Sequence, residues 1–276
     1  MSGAGDSEQA TARASAIPAE SQSFLTGFAD FFALVGRIFI FLLRLLYALV
    51  RPPWFFRDIL LQTANVGRRC FIPVVCVLGP FGMVVALHGT EIFKVFGANR
   101  LLGFLVGLTT FRELAPNLVA ILLAAQAGSS AAAELATMRT QEELAATEVM
   151  GVDPLKLHVL PRLLGIILAA PMLTVIGSSA GIMGGYLLAV LIQDQDGGAF
   201  LANLFAYLGL FDVANAALKS LVFAFIIGLL SCYLGYHSEV GARGVGKAVN
   251  NTVVYSIALF LLVNYFLSTA LFGIME

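Results

Sequence analysis

The sequence predicts an all-α integral membrane protein: five transmembrane helices, preceded by an amphipathic interfacial helix, with a short capped cytoplasmic helix between the second and third. Three observations carry that prediction. Apolar residues make up 59% of the 276 residues and charged ones only 12%, against roughly 45–50% and about 25% in soluble chains. The mean hydropathy is +0.90. Five stretches of 19 to 31 residues contain no Asp, Glu, Lys or Arg. So few charges cannot cover a water-facing surface. A net charge of −1 without any basic run excludes a disordered chain and a nucleic-acid binder.

Residues 1–22 are polar and rich in Ser and Ala, with acidic Asp6, Glu8 and Glu20. They lack the basic start and apolar core of a signal peptide, and the acids argue against a transit peptide. They read as a disordered cytoplasmic tail. Residues 23–69 follow as an interfacial amphipathic region. Within it Asp30, Arg37, Arg44, Arg51 and Asp58 recur every seven residues, a spacing that drifts only ~20° per step around an α-helix. As a spanning helix, two central arginines would cost roughly 5–7 kcal/mol. In the interface the stripe sits among headgroups at little cost, so the interfacial reading is preferred. Pro52 and Pro53 then break the helix, and Trp54, Phe55 and Phe56 supply an aromatic anchor.

Residues 70–276 form the five-helix membrane domain. The uncharged stretches are 70–90, 114–133, 163–193, 220–238 and 248–275. About 20 residues at 1.5 Å each cross a ~30 Å hydrocarbon core, and the two longest must tilt or enter the interface. Residues 101–111 are apolar but too few to cross, and read as a re-entrant or interfacial piece. Orientation follows the positive charges. Arg51, Arg57, Arg68 and Arg69 precede the first span; Arg139, Lys156 and Arg162 lie between the second and third, Arg243 and Lys247 between the fourth and fifth. The connection 194–219 instead carries Asp194, Asp196 and Asp212, with Lys219 its only base, at the membrane edge. The N-terminus is therefore expected in the cytoplasm and the C-terminus outside.

Two motifs suggest chemistry and fail on context. Gly177-Ser178-Ser179-Ala180-Gly181 fits a nucleophile elbow, which needs a strand-to-helix turn, but it lies mid-span. Gly177, Gly181 and Gly185, spaced by four, read instead as a helix-packing row. Gly241 to Lys247 fits the start of a phosphate loop. However, Ala248 stands where Mg²⁺ needs Ser or Thr, and no strand precedes it. It reads as a flexible basic turn, so no ATP site is expected in the chain. His88, His158 and His237 fall in separate regions, and no metal site is expected. Cys70, Cys76 and Cys232 read as small hydrophobes in apolar spans.

Two polar segments leave alternatives open. Thr140-x-x-Glu143 reads as a capping box opening a helix to about Met150, stopped by Gly151; Asp153-Pro154 caps the next. This segment is either a solvated connector or a docking helix for a soluble partner. Arg112 and Glu113, at the outer start of the second span, either anchor a helix end or mark a polar cavity.

The ordered set Arg112-Glu113-Leu114-Ala115-Pro116, Gly128-Ser129, Ala133-Glu134-Leu135-Ala136-Thr137-Met138, Glu142-Glu143, Met150-Gly151-Val152-Asp153-Pro154 and Pro161-Arg162 resembles the MlaE/YrbE permeases. Gly241–Lys247 and the Asn264 region resemble that family's last loop and helix. The resemblance covers about residues 24–275. It departs at Ala115 and Ala136, where many members have Gly, at Gln126, where several have Arg, and at Asn264, where an Asp is common. It implies the permease subunit of an ABC-type lipid transporter in the bacterial inner membrane. Such a permease moves phospholipid or a related lipid between that membrane and the cell envelope. The implied partners are a separate ATPase subunit, which holds ATP and Mg²⁺ (no cofactor in this chain), an MCE-domain lipid-binding protein, and a second permease copy, identical or different. The capped helix becomes the coupling helix, with Arg139, Glu142, Glu143 and Glu148 as its ATPase-facing residues. Arg112 and Glu113, with Phe81, Val84 and His88 of the first span, become the lipid-cavity candidates. The alternatives are an ion-coupled secondary transporter, disfavoured because no span carries a central charge and no repeat is visible, and a non-transporting membrane anchor of an envelope complex.

Overall fold

A computed structural model describes residues 36–49, 56–98 and 101–272. Two compact units are formed, Met1–Tyr47 and Ala48–Glu276. The expected tail 1–22, Arg51 and the Pro52-Pro53-Trp54 break lie outside the described residues. Helix α1 (residues 36–49) carries Arg37 and Arg44, both exposed and seven residues apart.

Five helices are long and apolar enough to cross a membrane: α2 (Phe56–Phe96), α3 (Leu102–Thr140), α5 (Leu155–Ile192), α7 (Leu210–Tyr236) and α8 (Ala242–Phe272). A short helix α4 (Glu143–Val149) joins α3 to α5 at what we call the near end. Helix α6 (Gly197–Tyr207) joins α5 to α7 at the far end. The protein is thus an all-α, multi-pass membrane protein.

The helices outrun the uncharged stretches. Helix α2 starts at Phe56, not near residue 70, and runs 41 residues, because its hydrogen bonds continue through the headgroup zone where Arg57, Asp58, Arg68 and Arg69 are tolerated. Charge marks the hydrocarbon boundary, not the helix end. Three expectations are overturned by the same continuity. Residues 101–111 are not re-entrant: they are the first turns of α3, joined to its remainder through a π-helical turn, Thr110–Leu114. Residues 241–247 are not a flexible turn. Only Gly241 has positive φ, +108°, and α8 begins at Ala242. Thr140 does not cap α4. Its hydroxyl donates to Ala136 O at 2.9 Å and accepts from Gly241 N at 3.2 Å, so Glu142, at φ +60°, holds the N-cap position instead. The other two boundary signals are as expected: Gly151 has φ +77° and Asp153 Oδ1 accepts from Leu155 N at 3.0 Å.

Helices α2 and α5 form the tightest pair. A Cβ on Gly82 would lie 1.8 Å from Gly181 O, and one on Gly184 would lie 2.1 Å from Gly79 O, so the two backbones touch directly. On the row 177, 181, 185 an added Cβ meets mostly side-chain atoms, of Leu78, Thr110 and Val106 at 2.6–2.9 Å. The backbone approaches fall at Gly181, on that row, which meets Gly82, and at Gly184, one residue off it from Gly185, which meets Gly79. The central core joins Val74 and Leu78 (α2), Val119 and Leu123 (α3), Leu173 (α5), Phe223 and Ile227 (α7) and Phe260 (α8). At the far end Phe200 and Leu204 of α6 pack on Leu102 and Val106 of α3.

Candidate functional site

The far half of the bundle holds a chain of charges that begins with Pro116. Lacking an N–H, Pro116 cannot bond the Arg112 carbonyl four residues earlier, and Lys219 of α7 donates to that carbonyl from 2.9 Å. The same ammonium donates to Glu113 Oε1 at 2.8 Å and Ser268 Oγ at 2.8 Å. All three of its protons are placed. Ser268 donates in turn to Glu113 Oε1 at 2.9 Å, while Asn117 and Asn264 donate to Oε2 at 3.3 and 3.4 Å. Beside this, Arg112 Nε donates to Asp212 Oδ1 at 2.8 Å, and Asp212 Oδ2 accepts from Gly209 N at 3.2 Å, holding the first turn of α7. Lys219 is fully buried, whereas the Glu113 side chain is 41% and the Arg112 side chain 32% exposed. The cluster therefore presents one charged edge outward from α3.

The sequence pattern does not anticipate a fully buried charge inside the helix bundle, which Lys219 supplies. Helix α7 starts at Leu210, so Lys219 lies about 13 Å inside its end at 1.5 Å per residue. Ending each span at the first charge placed Lys219 outside by construction. A signal was present: Asp212 and Lys219, seven apart, share a helix face, with signs complementary to Arg112 and Glu113.

Phe81, Val84 and His88 lie elsewhere. Phe81 and Val84 are half-exposed on α2, away from its buried residues Leu78, Gly82 and Ala86. His88 Nδ1 is 4.0 Å from Glu91 Oε2, both side chains exposed.

At the near end Glu134 of α3 gathers three helices. Arg162 of α5 donates to its Oε2 at 3.1 Å, Ser130 donates to Oε1 at 3.1 Å, and Arg69 of α2 donates to Ser130 Oγ at 2.7 Å. Arg139 donates to Tyr236 O, closing the end of α7. Thr147 of α4 lies 3.4 Å from His158 Nε2, and Arg162 donates to His158 O at 2.5 Å, so the clamp reaches α4. Of α4 itself, Leu144 and Thr147 are buried, whereas Glu142, Glu143, Glu148, Val149 and Met150 are exposed. Nearby, Lys247 Nζ donates to Glu239 at 2.7 Å and holds that carboxyl below its ordinary range. Because Arg162 is 14% exposed, Glu134→Ala is expected to cost about 1–2 kcal/mol. Arg69→Ala, at a 62% exposed side chain, should cost under about 0.5 kcal/mol. Thermal unfolding of the two variants in detergent checks the ordering.

Ser179 Oγ back-bonds Val175 O at 2.9 Å inside helix α5, and no strand-to-helix turn surrounds it. Among the described residues no three His, Cys, Asp or Glu side chains converge on a metal position.

Five membrane-length helices around an interior ion-pair cluster, with an exposed acidic helix at one end, define the chain as a multi-pass membrane protein. The chain belongs to the MlaE permease family, whose profile matches residues 59–270. It is 38% identical over 241 residues to a "Probable ABC transporter permease protein" of Rickettsia felis, covering 87% of this chain and 93% of that one. It is 33% identical over 216 residues to another so described from Synechocystis, with coverage of 78% and 82%. It is also 30% identical over 248 residues to the "Intermembrane phospholipid transport system permease protein MlaE" of Haemophilus influenzae, with coverage of 88% and 94%.

Proposed function

We propose that this chain is the membrane subunit of an ABC-type transporter that moves phospholipid or a related lipid between the inner membrane and the cell envelope. The observation that carries the reading is membership of the MlaE permease family across most of the chain, including a relative named for intermembrane phospholipid transport. Energy comes from a separate ATPase subunit seated on α4, so the near end is cytoplasmic, the N-terminus with it, and the C-terminus lies outside. Three features of α4 support that seat: three exposed carboxylates, exposed Val149 and Met150 beside them, and Glu142 in a left-handed conformation that costs a non-glycine residue roughly 1–2 kcal/mol. Retained strain of that kind concentrates at functional positions. Movement of α4 reaches the bundle through Thr147, His158 and Arg162 to Glu134, which ties α2, α3 and α5 together.

At the far half the outward edge of Arg112 and Glu113 faces a second permease copy across the lipid path, and an MCE-domain protein receives the lipid beyond it. The exposed Tyr255, Leu259, Leu262 and Phe266 of α8 form an apolar face suited to that second copy. ATP and Mg²⁺ belong to the partner ATPase. The test is ATP-driven lipid transfer in proteoliposomes holding the whole complex. Glu142→Lys with Glu143→Lys is expected to lower both stimulated ATPase activity and transfer at least about tenfold, as loss of two charge contacts implies. Unchanged coupling removes α4 from the mechanism.

A further inference from the structure

At the near end, between α2 and α5, runs an open groove of about 390 Å³. It exists because Ala64 and Gly67 of α2 and Ala169 of α5 are too small to fill the space between the two helices; a Cβ on Gly67 would meet no atom within 4 Å. Its walls are apolar, and Phe71 (47% exposed), Met172 (67%) and Leu60 (66%) leave large hydrophobic surface open. One cation lines it, Arg68.

Arg68 differs from its neighbour. Arg69 is engaged with Ser130 and Glu134. Among the described residues Arg68 donates within its own turn, from Nη2 to Asn65 Oδ1 at 2.7 Å and from Nε to Ala64 O at 3.4 Å. Among the described residues it has no carboxylate within ion-pair distance. Its depth is set by the sequence: it stands two residues before the uncharged run 70–90, at the edge of the hydrocarbon core. Helical side chains lean toward the helix N-terminus, which carries the guanidinium toward the headgroups, while Phe71, Met172 and Ile176 line the deeper part of the groove.

A guanidinium with spare donors at headgroup depth, above an apolar trough, complements an amphiphile with an anionic head and an acyl tail. Guanidinium binds phosphate oxygens in pairs. We propose that this groove is a binding site for one anionic phospholipid of the same leaflet, its phosphate on Arg68 and an acyl chain between α2 and α5. The site is separate from the Glu113 cluster, which lies in the far half, and it does not depend on the transport reading. Its occupant seats against the α2–α5 pair that Glu134 clamps.

Native mass spectrometry of the full-length chain in detergent, titrated with phosphatidylglycerol or phosphatidylcholine, tests the proposal. Gly67→Leu places a side chain in the groove from a position where the Cβ meets no atom within 4 Å, and Arg68→Gln removes the cation. The expected results are one fewer retained phosphatidylglycerol per chain in Gly67→Leu, and roughly tenfold less preference for phosphatidylglycerol over phosphatidylcholine in Arg68→Gln. Inorganic phosphate at millimolar concentration should not displace the lipid. An unchanged lipid count in Gly67→Leu, an unchanged headgroup preference in Arg68→Gln, or displacement by phosphate overturns it. An unfolding midpoint near that of the parent chain shows that each variant is folded. If Gly67→Leu unfolds, Ala64→Leu fills the same groove and is held to the same count.

Discussion

Replacing Glu113 with alanine is expected to destabilise the protein by about 2–3 kcal/mol, less than the cost of breaking a pair buried on both sides because the carboxylate is 41% exposed. The charge left behind is Lys219, which is fully buried and donates to Glu113, Ser268 and the Arg112 carbonyl. Without the carboxylate the buried ammonium keeps Ser268 and the Arg112 carbonyl, and the hydrogen bonds that Glu113 accepts from α3, α7 and α8 are lost together. An unfolding midpoint lowered on the order of 10 °C in detergent is the expected reading. The companion experiment separates charge from packing. Glu113→Leu combined with Lys219→Met removes both charges while keeping the volume, and should recover most of the loss. A double variant no more stable than Glu113→Ala would show that the pair is not the source. Lipid transfer adds a second reading: a purely anchoring role for the chain predicts that whatever Glu113→Ala protein folds moves lipid normally, and the transport reading predicts that it does not.

Gly184→Ala is the second large effect. The added methyl carbon would sit 2.1 Å from Gly79 O, a backbone atom that cannot swing aside, so α2 and α5 must separate by about 1 Å where they pack most closely. The expected loss is about 3 kcal/mol, at the upper end for overpacking. Gly67→Ala, on α2 itself but with no atom within 4 Å of the new carbon, should be neutral or stabilising by up to about 1 kcal/mol through helix propensity. Unfolding midpoints of the pair decide the matter. Equal effects would mean that the α2–α5 contact is looser than these distances.

Which parts of this architecture are legible in the primary structure depends on how local their cause is. The membrane class, the number of crossings, the Gly151 stop and the Asp153 cap are each set within one helix length, and each is found where the pattern puts it. The family is legible from an ordered set of short motifs. The misreadings share one origin. Ending a span at its first charge made 101–111 re-entrant and pushed Lys219 into a loop, and reading Gly241 to Lys247 as a turn ignored that one positive-φ glycine suffices to start α8. Thr140 shows the same limit on a smaller scale. Its hydroxyl could cap α4 or receive Gly241 N, and only the approach of the α7–α8 turn decides between them.

What the sequence by itself determined is that the chain must live in a bilayer as helices, because a backbone in hydrocarbon has to satisfy its own hydrogen bonds and this composition leaves no other environment for the side chains. What only the tertiary structure decided is where charge can be kept inside those helices. Arg112, Glu113, Asp212 and Lys219 are costly singly and tolerable together, and that sum is known only once α3, α7 and α8 bring residues a hundred and more positions apart within 3 Å of one another.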